Sequence, residues 1–337
     1  MILSSDALEA LAHAAGFDLV GFARAEPIPP EHLGEWLAAG MDADMDWLSE
    51  RAADRLDVTR LLPGAKTVIA LACNYHRPDE ATSGSPIARY ARGRDYHYTL
   101  RDRLRALRRT LLEQHPGLPN FASVDTGPVM EKVWAARAGL GHVGKNGCLI
   151  TEKYGSWVLL ATMILTEEVD RYAGALPADR CGTCHLCIMS CPTDAIVEGR
   201  KVDARKCLSY QTIENEGDVP EPIRPAMAEW VFGCDVCQVV CPLNRHPVPT
   251  ENARFAPRAV AELGARELAA LTPERYQELV AGTPLGRAKY DGLRRNAAYA
   301  LGAARDLGAA ALLATLAEDP SERVRTAARW AMAQLGG

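Results

Sequence analysis

Eight of the ten cysteines in this 337-residue chain fall between Cys181 and Cys241, and their spacing restricts what the middle of the chain can be. They read Cys181-x2-Cys184-x2-Cys187-x3-Cys191-Pro192, then Cys207, then Cys234-x2-Cys237-x3-Cys241-Pro242. Three thiolates at two-residue spacing followed by Cys-Pro form the bacterial pattern for two cubane iron–sulfur clusters, in which the fourth cysteine of a run ligates the other cluster. One [4Fe–4S] cluster is therefore assigned to Cys181, Cys184, Cys187 and Cys241, and the second to Cys191, Cys207, Cys234 and Cys237. An ordinary ferredoxin supplies its equivalent of Cys207 a few positions before Cys234, whereas here 26 residues intervene. That insertion, polar and Pro-rich from Glu214 to Pro225, is expected to help form a substrate or cofactor pocket.

Cys-x2-Cys pairs also build tetrahedral zinc sites, but the triple spacing with Cys-Pro favours cubanes. A disulfide framework fits less well. The sequence shows no apolar leader after Met1 and no apolar run of about 18 residues, so a cytoplasmic location is expected, where thiols stay reduced. Cys73 and Cys148 lie in short apolar runs and read as small buried hydrophobes.

The length suggests two or three domains. A formal charge of −5 leaves no global electrostatic footprint for nucleic acid, so any such contact must be local. The densest basic stretch is Arg89, Arg92, Arg94, Arg101, Arg103, Arg105, Arg108 and Arg109, interleaved with Tyr90, Tyr96, His97 and Tyr98; a solvated helix face would look the same.

The amino-terminal part alternates helical and strand patterns. Ser4 or Ser5 can cap a helix carrying Leu8, Leu11 and Ala15, stopped at Gly16. Strands are expected over Leu19 to Ala23, Thr67 to Cys73, Phe121 to Val124, Cys148 to Thr151 and Trp157 to Leu165, with a helix over Leu100 to Leu112. Past the cysteines the composition turns to Ala, Leu, Arg and Gly. Arg295-Asn296-Ala297-Ala298 recurs thirty positions on as Arg325-Thr326-Ala327-Ala328, with a helix expected from Ala309 to Ala317 and a break at Asp319-Pro320. Such a period resembles a short HEAT-type repeat.

Val124-Asp125-Thr126-Gly127-Pro128 places Asp125 where a strand ends and turns into a helix. Enclosure there would raise its pKa so that it holds and donates a proton; capping the turn is the competing use. Gly139-Leu140-Gly141-His142-Val143-Gly144-Lys145-Asn146-Gly147 carries four glycines that permit positive φ and close backbone approach to a ligand, without matching a Walker loop or a dinucleotide fingerprint.

These motifs, with Arg89-Tyr90-Ala91-Arg92-Gly93-Arg94-Asp95-Tyr96-His97, Gly155-Ser156-Trp157, the cysteine array and the helical tail, resemble the epoxyqueuosine reductase family over nearly the whole chain. The resemblance implies reduction of epoxyqueuosine to queuosine at the tRNA wobble position, the last step of queuosine synthesis. It implies two [4Fe–4S] clusters passing electrons to cobalamin, with Asp125 as proton donor. Lys145, Asn146, Gly147, Leu149, Ser156, Ser209 and Asp235 would contact cobalamin, and Arg94, Tyr96, His97, Arg294, Arg295 and Arg325 the tRNA. The chain departs from the family with His142 where Trp is frequent and Lys132 where Arg is usual.

The expected architecture is α+β. A cobalamin-binding catalytic domain of α/β type takes residues 1–170, a ferredoxin-like two-cluster domain 171–250, and a HEAT-like helical domain 251–337. A monomer supplied by a flavodoxin- or ferredoxin-type donor is expected, with no membrane contact. Two other readings of the same residues are a reductive dehalogenase-like cobalamin enzyme and a non-catalytic iron–sulfur carrier with a docking tail.

Overall fold

The strand Thr67–Asn74 is buried at all its positions, and the first domain is built around it. The structure is a computed structural model describing residues 2–77, 84–197 and 200–336. Leu19–Arg24 pairs on one side of this strand and Val158–Leu165 on the other, with Asn120–Ser123 beyond. Every adjacent pair in this sheet is antiparallel, which corrects the expectation of an α/β-type domain. The helix Tyr96–Gln114 does cross between two strands that run the same way, Thr67–Asn74 and Asn120–Ser123. Val158–Leu165 lies between them, however, so those two strands never pair.

Alternation along the central strand supplies both faces. Ile69, Leu71 and Cys73 meet Leu100, Leu104, Leu107 and Leu111 of the long helix and Leu8 and Ala12 of the helix Ser5–Ala14. Val68 and Ala70 face Trp134 and Ala135 of the helix Glu131–Arg137. Each buried Leu contributes roughly 1.5–3 kcal/mol. The long helix starts at Tyr96, ahead of the expected Leu100, because Asp95 caps it by accepting from the His97 N–H at 2.9 Å. That extra turn carries Tyr96 and His97.

Within residues 181–241, the short helices Leu186–Met189 and Val236–Val239 lie inside the two cysteine runs, carrying Cys187 and Cys237, and pack on each other. The insertion after Cys207 opens with the helix Leu208–Ile213. Most of its apolar side chains, Val219, Ile223, Met227 and Val231 among them, join the core of the carboxy-terminal helices and not a pocket.

The carboxy-terminal region centres on the helix Lys289–Ala303, buried continuously from Gly292 to Gly302. It packs against Glu322–Leu335 so closely that a Cβ on Gly302 would lie 2.5 Å from Ala331 Cα. The two repeated segments fall on these two helices, with Ala310–Leu316 between them after a 3-10 turn at Leu307–Ala309. Arg294 and Arg295 are buried here, which corrects their expected place on a tRNA surface. Arg294 pairs with Asp319 at 2.5 Å. Arg295 donates to the carbonyls of Gln211, Asn215 and Gly217, fastening the insertion to the tail. Among the described residues no helix is long and apolar enough to cross a membrane.

Candidate active site

None of the ten cysteines forms a disulfide. Cys181, Cys184, Cys187 and Cys241 line one cavity of about 80 Å³, while Cys191, Cys207, Cys234 and Cys237 line another of about 180 Å³. Four soft thiol donors around each small cavity are the donor set that a cubane takes. The chain achieves this interleaving because the two helical runs pack side by side, so the last cysteine of each run meets the other cage. Around the second cage the Ala195 N–H already donates to Cys191 Sγ at 3.3 Å. Cys148, expected in the core, lines this second cage instead; Cys73 is buried under the sheet and accepts from Arg103 at 2.7 Å.

The glycine loop serves these cages. Lys145 Nζ donates to the carbonyls of Gly182 and Cys184 at 2.8 and 3.0 Å, and Lys132 Nζ to that of Gly147 at 2.8 Å. Asn146 Nδ2 donates to the Cys237 carbonyl. Gly141 is required because a Cβ there would lie 2.2 Å from the Ile150 carbonyl oxygen, and Gly147 has φ 73°. His142 Nε2 sits 3.9 Å from Cys181 Sγ.

A separate cavity of about 800 Å³ opens beside Asp125. The first domain supplies Tyr96, His97, Thr126 and Glu131, the insertion supplies Ile213, Glu214 and Phe232, and the tail supplies Gln277, Pro284 and Arg287. None of the seven residues expected to contact cobalamin lines it. Besides Lys145, Asn146 and Gly147, Leu149 is buried in the core and Ser156 donates to Gln238 Oε1 at 2.9 Å. Ser209 borders the second cage, and Asp235 is buried and accepts from the Arg89 N–H at 2.7 Å. Lys145, Asn146 and Ser209 border the thiol cages, so this set lies on the cluster side of the fold and not on the wall beside Asp125.

Asp125 stands on the cavity wall with its side chain 58 % exposed and φ at 54°, in the left-handed region that Asp tolerates better than most residues. The turn beyond it needs glycine, since a Cβ on Gly127 would lie 2.0 Å from Ser123 Oγ. Asp125 Oδ2 accepts from Tyr96 Oη at 2.9 Å and lies 3.0 Å from His97 Nε2; His97 Nδ1 lies 2.8 Å from Asp95 Oδ1. Removal from water pushes the Asp125 carboxyl up, but the hydrogen bonds from His97 and Tyr96 and the charge of His97 outweigh it, so its pKa ends below the ordinary carboxylate value. Burial pulls His97 down, yet bonding to Asp125 and Asp95 raises it to about 9. The direction is the opposite of the raised pKa expected from enclosure: Asp125 leans to its ionised form and His97 to its protonated form.

The carboxyl whose proton affinity is raised is Glu131, and its significance is not signalled by the sequence. Burial pushes Glu131 up; its own N–H opposes, the Asp125 charge adds, and Arg55 and the Asp125 N–H oppose, leaving the pKa at about 7. Glu131 follows Gly-Pro at the start of a helix, which in sequence reads as an ordinary first-turn acid.

Of the basic candidates, Arg94 is exposed with its guanidinium 5.7 Å over the Tyr98 ring, and Arg325 donates to the carbonyls of Asp319 and Pro320. A groove of about 370 Å³ is lined by Arg101, Arg105 and Arg108 together with residues of Asn120–Ser123, and Thr126 borders both this groove and the main cavity.

Two four-cysteine cages in a chain that also holds an acid–base cavity define, as a class, an iron–sulfur oxidoreductase. Residues 180–244 match the model for a 4Fe-4S double cluster binding domain, and residues 55–126 that for epoxyqueuosine reductase QueG, DUF1730. The epoxyqueuosine reductase of Gloeobacter violaceus is 44% identical over 310 residues, covering 89% of this chain and 96% of the relative. That of Synechocystis sp. is 44% identical over 276 residues, covering 79% and 93%. A crystal structure of epoxyqueuosine reductase with an epoxyqueuosine-modified tRNA-Tyr stem loop superimposes with TM-score 0.87 at 29% identity, covering 98% of this chain and 90% of that one. The chain belongs to the epoxyqueuosine reductase family. Membership does not favour the dehalogenase and non-catalytic carrier readings.

Proposed function

We propose that this protein reduces epoxyqueuosine in tRNA to queuosine, with the cavity beside Asp125 as the reaction chamber. The observation that carries the reading is Asp125 itself, held by Tyr96 and His97 on the wall of a cavity large enough for a nucleoside and part of a corrin. The net reaction breaks both C–O bonds of the epoxide, forms a carbon–carbon double bond and releases the oxygen as water. It consumes two electrons and two protons.

The interleaved thiol cages fit two [4Fe–4S] clusters, and the aromatic and apolar walls at Tyr90, Ile213 and Phe232 fit the flat face of a corrin. Clusters and cobalamin, when bound, supply the low-potential electrons that reach the epoxide. The chain's own residues handle the protons. His97 holds a proton at neutral pH and passes it through Asp125 to the departing oxygen, while Tyr96 keeps the carboxylate aimed at the cavity. Asp95 fixes the His97 ring from behind.

For the RNA, Arg101, Arg105 and Arg108 fall on one helix face about 10 Å long and border the reaction chamber through Thr126. Ser123 Oγ, buried in the same groove, has no hydrogen-bond partner among the described residues. Guanidinium forks beside an unsatisfied hydroxyl suit phosphate oxygens, which orient the strand without reading sequence. In this reading residues 1–170 hold cobalamin, 171–250 the clusters, and 251–337 a HEAT-like repeat, in a cytoplasmic monomer served by a flavodoxin- or ferredoxin-type donor.

The test is anaerobic incubation of the protein, reconstituted with iron, sulfide and cobalamin, with a reductant and an epoxyqueuosine-containing stem loop. Queuosine, one oxygen lighter than the epoxyqueuosine supplied, is the expected nucleoside by mass. No conversion by fully loaded protein contradicts the reading.

A further inference from the structure

The reaction proposed above needs two protons, and the His97–Asp125 unit accounts for one. Glu131 lines the same cavity, and its Oε1 is buried with no hydrogen-bond partner among the described residues. Across from it Arg55 also lines the cavity, and its Nε is likewise buried and unpartnered. Two polar groups left unsatisfied in one chamber cost stability unless something that enters the chamber bonds them. A carboxylic acid facing a chamber where an alkoxide and then a hydroxide must be protonated has that use.

We propose that Glu131 is a second catalytic acid of this cavity, delivering one of the two protons that leave with the epoxide oxygen as water. The inference rests on the functional reading given above. In the balanced step, the first C–O bond breaks and the oxygen takes a proton from one acid. When the second C–O bond breaks, the resulting hydroxide takes a proton from the other and departs as water. The electrons come from the low-potential donor through the chain's redox groups, and both acids are re-protonated from solvent after product leaves.

The groups that face Glu131 set its proton affinity from every side. Asp125 lies on the turn after the strand Asn120–Ser123, Arg55 in the helix Ala52–Leu56, and the N–H groups of Asp125 and Glu131 close the remainder. Asp125 is kept ionised by His97, and its negative charge is what favours the neutral form of Glu131. The two carboxyl groups therefore divide the work. One leans to its charged form and relays, and the other, with its proton affinity raised, donates.

The experiment uses the full chain with two readouts. In cofactor-free protein with 13C-labelled glutamate carboxyls, one carboxyl should titrate with a midpoint of about 7, and its signal should be absent from Glu131→Gln. In the loaded enzyme with epoxyqueuosine stem-loop RNA, Glu131→Gln should lower kcat by about 10²–10⁴-fold with KM for RNA unchanged. Glu131→Asp should recover part of the loss. Wild-type turnover that Glu131→Gln leaves intact overturns the second acid alone and spares the functional reading. Absence of any wild-type turnover on that RNA overturns the functional reading instead. If Glu131→Gln does not fold, the wild-type titration decides: no glutamate carboxyl titrating above the ordinary range overturns the proposal.

Discussion

The cysteine cages and the chamber at Asp125 are built by opposite means. Each cage draws its four thiols from residues 181–241, whose order along the chain already carries the geometry, because Cys-x2-Cys-x2-Cys can wrap only a small cavity. The chamber draws on residues from Met45 to Arg287, and its acid–base groups owe their proton affinities in part to partners distant in sequence. His97 is raised by Asp95 and Asp125, and Glu131 by burial and Asp125. Metal ligation is thus written locally, while acid–base function is written by packing.

Breaking a cage should have the largest effect. Cys234→Ser is expected to cut iron from about eight to about four atoms per chain and to abolish turnover, read by iron analysis and nucleoside mass. Breaking the chamber should leave the cages whole. Asp125→Asn is expected to lower turnover by about 10²–10⁴-fold at unchanged iron content. The same change should bring His97 down from about 9 toward its ordinary 6.5, seen by NMR titration of the ring. The sign of the linkage follows: the His97 pKa is raised in the folded protein, so its stabilising contribution is complete below pH 6.5 and is lost as pH rises through about 9. Urea midpoints of wild type should therefore fall across that window more steeply than those of His97→Gln.

Arginines sharpen the same contrast, since the residue type is constant and only packing differs. Arg295→Met leaves three backbone carbonyls without their donor and should cost on the order of 3 kcal/mol, measured as a lower urea midpoint. Arg105→Glu with Arg108→Glu, both exposed on the groove, should change stability by no more than about 0.5 kcal/mol. Affinity for the stem loop should fall about tenfold, and the slope of log affinity against log salt should become shallower by roughly 1.4 to 1.8.

What could be read from the chain follows the same division. The central strands, the long helix and the cage partition were legible, because periodicity and cysteine spacing are local signals. The antiparallel order of the sheet was not, since it depends on Val158–Leu165 entering between two strands that a helix had already joined. Arg294 and Arg295 looked like a surface pair because nothing in Ala-rich sequence shows that the insertion near Asn215 would cover them with carbonyls. Tyr96 and His97 read in sequence as part of a basic stretch and, by resemblance, as tRNA contacts, and only the Asp95 cap turns them toward Asp125. The glycine loop's hold on the first cage through Lys145, and the tight hairpin that needs Gly141, depend on partners distant in sequence or on close backbone approach and so are not visible in its spacing.

The central claim is that electrons stored at the thiol cages leave through chemistry on RNA beside Asp125. Its most direct test counts electrons and product together: the loaded protein is reduced anaerobically by titration, mixed with excess epoxyqueuosine stem loop, and the queuosine formed is quantified by mass. The account predicts two electrons consumed for each queuosine formed, with electrons retained in Asp125→Asn. Reoxidation of the wild-type protein by the RNA without any queuosine would contradict it.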